Sequence, residues 1–160
     1  MTRYFAAAVC AAVLSTPLPA LAHPETGMSA IAHGATVTGA GRAGDASLVA
    51  RTVAIGMADS MRFSPGELLV TRGQTLRIVA RNDGQVLHEI VLGTPEEIAR
   101  HREAMRRDPG MTHGAPNMAH VAPGRSEQIV WKFDQPGKFE FACLLPGHYE
   151  AGMSGTIAVQ

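Results

Sequence analysis

The sequence predicts an all-β fold, a Greek-key β-sandwich of two sheets with one surface helix. Three observations support this prediction. From Leu48 onward, short runs alternate apolar with other residues, turn signals rich in Gly, Pro, Asn and Asp separate these runs, and one stretch carries the end signals of a helix. Closely spaced short strands are typical of sandwiches, which bury their core between two sheets. At 160 residues, the chain has room for one such domain.

Residues 1–22 have the order of a secretory signal peptide. Arg3 is the charged start, Phe5 to Leu14 is the apolar middle, and Ala20-Leu21-Ala22 is the small-residue cleavage signal. We therefore expect cleavage after Ala22 and a periplasmic location for the mature protein. Acylation of Cys10, as in a lipoprotein, fits less well because Cys10 lies inside the apolar segment. A short buried helix is the other alternative.

Charge and cysteine content limit the possible functions. Cleavage would remove one of the 14 basic residues, Arg3, and none of the 14 acidic ones, and the resulting negative balance argues against a nucleic-acid partner. After Ala22, no apolar run reaches the roughly 20 residues that a membrane-spanning helix needs, so we expect no membrane insertion. Cys143 would be the only thiol left, and it is then inert, reactive or a metal ligand. We expect a monomer.

Residues 23–47 are predicted to form a flexible arm, because they are rich in Gly, Ala and Thr and contain few large apolar residues. His23 would be the new N-terminal residue, and its amine and imidazole together can chelate Cu(II). An ordinary disordered tail is the alternative, since any chain that begins with His offers these two groups.

Residues 48–160 are the predicted domain, and its strands follow one another between Gly-, Pro- and Asn-containing turns. Alternation indicates seven strands: Val49 to Met57, Glu67 to Thr71, Thr75 to Arg81, Val86 to Leu92, Glu127 to Phe133, Lys138 to Ala142 and Thr156 to Val159.

One segment departs from the strand pattern. Thr94-Pro95-Glu96-Glu97 offers an N-cap, a Pro at the first helical position and a capping-box Glu, and Asp108-Pro109-Gly110 is a stop signal. A helix of about three turns fits between them. Its apolar stripe, Ile98 and Met105, is thin, so the helix should lie on the surface of the sandwich.

Three soft metal ligands occur in the loop from Phe141 to Met153, between the last two strands. They are the thiolate of Cys143, the imidazole of His148 and the thioether of Met153. This combination suits copper, because blue electron-transfer sites use two His, one Cys and a long axial Met. The fourth ligand must then come from a distant strand.

His88 is the best candidate for that fourth ligand. It lies in a predicted strand, and redox copper needs ligands that do not rearrange. The rivals are His101 on the helix and His113 and His120 in the following loop. A lone His in a strand is commonly an ordinary core or surface residue, so the assignment depends on the Cys-His-Met loop.

A second group of soft side chains follows the helix. Met111, His113, Met118 and His120 occur within ten residues of a predicted loop. Thioethers suit Cu(I) and imidazoles suit either oxidation state, so an auxiliary copper site is conceivable there, as it is at His23. The alternative is that the methionines fill gaps in the core.

The pair formed by His88 and the pattern Cys143-x4-His148-x4-Met153 resembles the type 1 copper signature of the cupredoxins, the family of azurin, plastocyanin and pseudoazurin. The resemblance covers roughly Leu48 to Gln160. Within the family, the ligand loop, the helix after the first His strand and the Met/His-bearing loop are most similar to bacterial periplasmic cupredoxins associated with copper tolerance. The resemblance implies a cupredoxin-like sandwich of about eight strands that holds one copper ion.

Two features depart from this family. Many members follow the first His with an Asn whose side chain ties the two ligand loops together, whereas Glu89 follows His88 here. That difference puts the usual link between the loops in question. The disulfide of azurin is also impossible with Cys143 alone.

The ligand set implies a redox-active mononuclear copper, Cu(I)/Cu(II), with Cys143 and two His in a plane and Met153 as a long axial ligand. We expect His148 to be the more exposed His ligand. The apolar residues around it can form a rim where a redox protein docks, or can simply shield the metal. These residues are Leu144, Leu145, Pro146 and Tyr149.

Three functions remain open from the sequence. The favoured one is a periplasmic copper-binding protein of copper tolerance or homeostasis, and the alternative is a soluble one-electron carrier. A hydrolase using Cys143 with a His base is disfavoured, because Cys143 ends a strand and no oxyanion arrangement is evident. We therefore expect no enzymatic activity.

Overall fold

The structure is a computed structural model that describes residues 37–108 and 114–160. The predicted signal peptide, His23, Met111 and His113 lie outside these residues. Within them, α1 spans Pro95–Arg107 and a 3₁₀ helix spans Ala46–Leu48. The strands β1 to β11 are, in chain order, Val37–Thr38, Gly41–Ala43, Val49–Ala58, Arg62–Ser64, Glu67–Val70, Thr75–Asn82, His88–Gly93, Met118–Val121, Ser126–Lys132, Gly137–Ala142 and Ser154–Val159.

The strands form two sheets, which confirms the predicted all-β sandwich. One sheet has the order β1-β2-β9-β6-β3-β4, and the other has the order β5-β11-β10-β7-β8. β3 pairs with β6 in parallel, and β5 pairs with β11 in the same way. Because parallel neighbours cannot be joined by a tight hairpin, the chain crosses between the sheets, as in a Greek key.

The main core lies between the two sheets. Trp131, Phe133 and Phe141 are its largest fully buried side chains. Removing one large apolar side chain from water stabilises the fold by roughly 1.5–3 kcal/mol. Cys143 and Met153 belong to this same core, so two of the predicted ligands are enclosed by the sandwich.

The helix α1 follows β7 and packs against the second sheet, as predicted. Ile98 and Met105 are buried in a smaller cluster that includes Val91 of β7. The capping box is confirmed, because the Glu97 backbone N–H donates to Thr94 Oγ1 (3.2 Å) and the Thr94 N–H donates to Glu97 Oε2 (2.8 Å). No helix within the described ranges is long and apolar enough to cross a membrane.

The strands β4 and β8 were not predicted. β8, at Met118–Val121, occupies the region expected to be a Met/His-bearing loop and pairs with β7, so that His120 lies opposite Glu89. Its two ends are buried and its two middle residues are partly exposed, which is not the alternation of a half-buried strand. Backbone pairing with β7 therefore defines β8.

The expectation of a flexible arm is wrong for residues 37–47. β1 and β2 form a hairpin, and β2 pairs with β9 at the edge of the first sheet. At Gly41 the backbone φ is +134°, and a Cβ there would collide with the carbonyl of Lys132. The Gly39 N–H also donates to Glu97 Oε1 at 3.0 Å. Backbone hydrogen bonds to an existing sheet edge order this segment without large apolar side chains.

Replacement of Thr94 by Ala should lower the free energy of unfolding of the metal-free protein by about 1 kcal/mol, because the cap of α1 is lost. Urea denaturation measures this change. Thr94→Ser keeps the capping hydroxyl and is the matched control. Equal stability of the Ala and Ser variants would contradict the importance of the cap.

Candidate metal centre

Three of the predicted ligands converge at one end of the sandwich. One ligand atom each from His88, Cys143 and His148 lies within 4.8 Å of the other two. Among residues 37–108 and 114–160, this is the one group of three or more His, Cys, Asp or Glu side chains with that spacing. His88 and Cys143 are fully buried, whereas His148 is half-buried.

The loop from Cys143 to Met153 is held in shape by its own backbone. The Cys143 N–H donates to the Met153 carbonyl, and the Met153 N–H donates to the His148 carbonyl, both at 3.0 Å. Gly147 has a φ of +85°, in the left-handed region that favours glycine. These hydrogen bonds hold Cys143, His148 and Met153 together in one compact loop. Met153 is itself fully buried in the main core.

One ring nitrogen of His88 has a hydrogen-bond partner, and the other has none among the described residues. Its Nε2 lies 3.2 Å from Asp59 Oδ1. Its Nδ1 is buried and has no hydrogen-bond partner among the described residues. A buried polar atom without a partner is costly, and a metal ion bound at Nδ1 would remove that cost. The residues present therefore fit a metal bound between His88, Cys143 and His148.

Asp59 is a neighbour of the cluster that the sequence did not reveal. Besides contacting His88, its carboxylate accepts hydrogen bonds from the Gln85 N–H (2.7 Å) and the Val86 N–H (3.4 Å). The bond from Gln85 is the main reason that the pKa of Asp59 is lowered. A carboxylate behind a His ligand fixes the ring orientation and makes the ligand more basic. Since 29 residues separate Asp59 from His88, no local pattern predicts the contact.

Side-chain hydrogen bonds of Asn82 also fix the loop that leads into β7. Asn82 is buried, and its side-chain amide donates to the carbonyls of Val86 (2.7 Å) and Val121 (2.8 Å). Its side-chain oxygen accepts from the Gly84 N–H at 2.8 Å. Asn82, which belongs to the predicted turn, therefore also holds the loop that positions His88.

The sulfur of Cys143 lies in a dry, hydrogen-bonded environment. It accepts from the Glu89 N–H at 3.3 Å and lies 3.2 Å from His148 Nδ1. Burial raises the pKa of the Cys143 thiol to about 11 in the metal-free protein. A nucleophilic cysteine needs the opposite shift, so this geometry does not favour a hydrolase. A metal ion can displace the proton, because binding and deprotonation are coupled.

His148 is suited to the role of a neutral ligand. Burial lowers its pKa, and the neighbouring His88 contributes to the same effect. The two rings meet edge to face, with centroids 5.2 Å apart. Metals bind the neutral imidazole, so the lowered pKa of His148 favours metal binding at neutral pH.

The other sequence candidates lie outside this cluster. His101 is on α1, and His120 is on β8 with its Nε2 2.8 Å from Glu89 Oε2. Met118 is buried under α1 together with Met105, as the gap-filling interpretation expects. The auxiliary copper site stays a prediction.

The expected apolar rim needs a correction at Leu144, which is buried under α1 and is not at the surface. Leu145 and Tyr149 are half-buried, and Pro146 is exposed. Arg102 of α1 lies over the Tyr149 ring, 4.6 Å from its centroid, so the helix supports the ligand loop. The sequence did not indicate the exposed side chains just before His88, which are Val86 and Leu87.

A buried Cys and two imidazoles converging at one end of a Greek-key sandwich are typical of copper proteins of the cupredoxin class. The model of the family described as copper binding proteins, plastocyanin/azurin family, matches residues 49–160. The chain therefore belongs to this family, and copper is its cofactor.

Comparisons with individual proteins agree with the family. The chain is 48% identical over 138 residues to the copper-resistant cuproprotein CopI of Rubrivivax gelatinosus, covering 86% of this chain and 83% of that protein. It is 32% identical over 149 residues to CopI of Pseudomonas aeruginosa, covering 75% of this chain and 82% of that protein. Reduced auracyanin of Roseiflexus castenholzii superposes with a TM-score of 0.60 and 25% identity, covering 70% and 98% of the two chains.

Replacement of Asp59 by Asn should weaken copper binding roughly 10- to 100-fold, because the carboxylate behind His88 is lost. Competition with a chelator of known affinity measures this change. Asp83→Asn makes the same chemical change at a nearby exposed carboxylate that does not contact His88. An affinity that is equal in both variants would show that Asp59 does not support the ligand.

Proposed function

We propose that this chain is an exported copper-binding protein of copper tolerance, and that His88, Cys143, His148 and Met153 hold its copper. Two observations together carry the proposal: the imidazoles of His88 and His148 converge with the one described thiol, and the buried Nδ1 of His88 has no hydrogen-bond partner among the described residues. Bound copper supplies one-electron exchange between Cu(I) and Cu(II). The role in tolerance is supported by relatives whose names describe copper-resistant cuproproteins.

The residues around the proposed ligands have different roles. Asp59 orients His88, and the Glu89 N–H donates to the sulfur of Cys143. The sandwich keeps water away from Cys143 and Met153, which are fully buried. His148 is the more exposed His ligand, so exchange with the surroundings takes place on its side of the site. We propose binding, and not enzymatic catalysis, as the function.

A soluble electron carrier is the second candidate. It is favoured by the exposed apolar side chains of Val86 and Leu87, which are 42% and 43% exposed and directly precede His88. Together with Pro146 and the half-buried His148, they offer a surface where a redox protein can dock. The two roles differ in how many copper ions each chain needs to bind.

The copper-loaded protein should show an intense visible thiolate-to-copper charge-transfer band. Cys143→Ser should abolish the band, and His88→Ala should severely weaken or reshape it. His101→Ala is the matched control, because it removes an imidazole on α1, and it should leave the spectrum unchanged. Persistence of the band in Cys143→Ser would refute the proposed ligand set.

If the auxiliary residues take part in copper tolerance, the chain without residues 1–22 should bind more than one copper ion. Substitution of Met111 and His113 by Ala should lower the copper-to-protein ratio and leave the visible band intact. Met118 is unsuitable for this test, because removing a buried Met costs roughly 2–5 kcal/mol of stability. A ratio of one in both proteins would leave the four-residue centre as the whole binding capacity.

A further inference from the structure

A buried carboxylate lies immediately beside the proposed copper ligands. Glu89 follows His88 in β7, so its side chain points to the opposite face of the sheet, where α1 packs. It is fully buried. Its Oε2 lies 2.8 Å from His120 Nε2, and its Oε1 accepts from the Leu144 N–H at 3.4 Å. With the bond from its own N–H to Cys143 Sγ, one residue contacts β8, the ligand loop and the ligand sulfur.

Fold stability does not explain a carboxylate at this position. The cluster on this face contains Val91, Met118 and Leu144, so an apolar side chain in place of Glu89 would have suitable neighbours. Replacing a buried ion pair by well-packed apolar residues is commonly neutral or stabilising. His120 lies directly opposite Glu89 in the strand pairing and holds the carboxylate in place.

We propose that Glu89, held by His120, is a positioning residue that fixes the Cys143 end of the ligand loop and biases the copper centre toward Cu(II). This inference rests on the proposed function. The Glu89 N–H and Oε1 limit how the Cys143 sulfur and the Leu144 backbone can move, and the contact with His120 limits how the carboxylate can move. Its negative charge, behind the thiolate and away from water, stabilises the more positive oxidation state of the metal.

The geometry supports the electrostatic part of the inference. Glu89 is fully buried, so little water screens its carboxylate from the proposed centre. Its backbone N–H lies 3.3 Å from the Cys143 sulfur, and its Oε1 lies 3.4 Å from the Leu144 amide, so the carboxylate contacts the chain segment that carries the thiol. The imidazole of His120, 34% exposed, covers the carboxylate on the side of β8.

The test compares three substitutions of Glu89 in copper-loaded protein. Glu89→Gln keeps an acceptor for Leu144 and removes the charge. We expect the ratio of Cu(I) to Cu(II) affinity to rise about tenfold, which is about 59 mV in reduction potential. Glu89→Asp keeps the charge and should shift this ratio less than Gln does. Glu89→Leu removes both functions and should shift the ratio and alter the thiolate band.

Glu127→Gln is the matched control, because Glu127 is an exposed carboxylate on β9 of the other sheet. It should change neither the potential nor the spectrum. The melting temperature of each metal-free variant separates a structural role from a positioning role, and Glu89→Leu should melt no lower than the wild type.

The inference is overturned if Glu89→Gln and Glu89→Leu leave the potential and the band unchanged, or if they only lower the melting temperature. If Glu89→Leu does not fold, the comparison of Gln with Asp decides. A wild-type protein without a thiolate-to-copper band would instead refute the proposed centre, and the inference with it. If the wild type shows the thiolate-to-copper band and the variants change neither the potential nor the band, the inference is refuted and the proposed centre stands.

Discussion

The pairing of β10 with β11 is the constraint on which the candidate centre depends. The ladder runs from Gly137 opposite Val159 to Ala142 opposite Ser154, and the next pair is Cys143 with Met153. Strand pairing therefore fixes two of the proposed ligand residues before any metal binds. The ladder also places β10 beside β7, so the strand that begins with His88 lies next to the thiol. A ligand set held by the sheet changes little between two oxidation states, which favours fast electron exchange.

Two carboxylate residues contact this rigid set, one at His88 and one at Cys143. Asp59 contacts His88, and Glu89 lies behind Cys143. Both negative charges have protein partners in the metal-free state: backbone N–H groups for Asp59, and His120 with the Leu144 N–H for Glu89. The partners of the buried Glu89 offset the cost of burying a carboxylate, and those of the exposed Asp59 orient its oxygens. Asp59 and Glu89 thus add charge beside the proposed ligands without being ligands themselves, and such outer residues tune a metal site.

The parts of the structure that local sequence patterns control were predictable. Alternation revealed the long strands, the capping box revealed α1, and the spacing of Cys143, His148 and Met153 revealed a loop with three soft ligands. Contacts between distant residues were not predictable. Asp59 reaches His88 across 29 residues, and the sequence showed Glu89 only as an unusual neighbour of a ligand. β8 and the hairpin of β1 with β2 depend on backbone pairing with strands already present, which leaves little trace in hydrophobic pattern.

The hydrogen bonds of the ligand loop determine how firmly copper would be held. Release of copper requires its ligands to move apart, and three of the four proposed ligands belong to the loop from Cys143 to Met153. Movement of that loop breaks the bonds from the Cys143 and Met153 amides and the contact of Arg102 with Tyr149. Electron exchange needs none of these changes and only an approach to His148. The rigid loop therefore suits a protein that retains its copper, and retention serves both sequestration and repeated electron transfer. Additional copper ions held elsewhere on the chain would be needed only for sequestration.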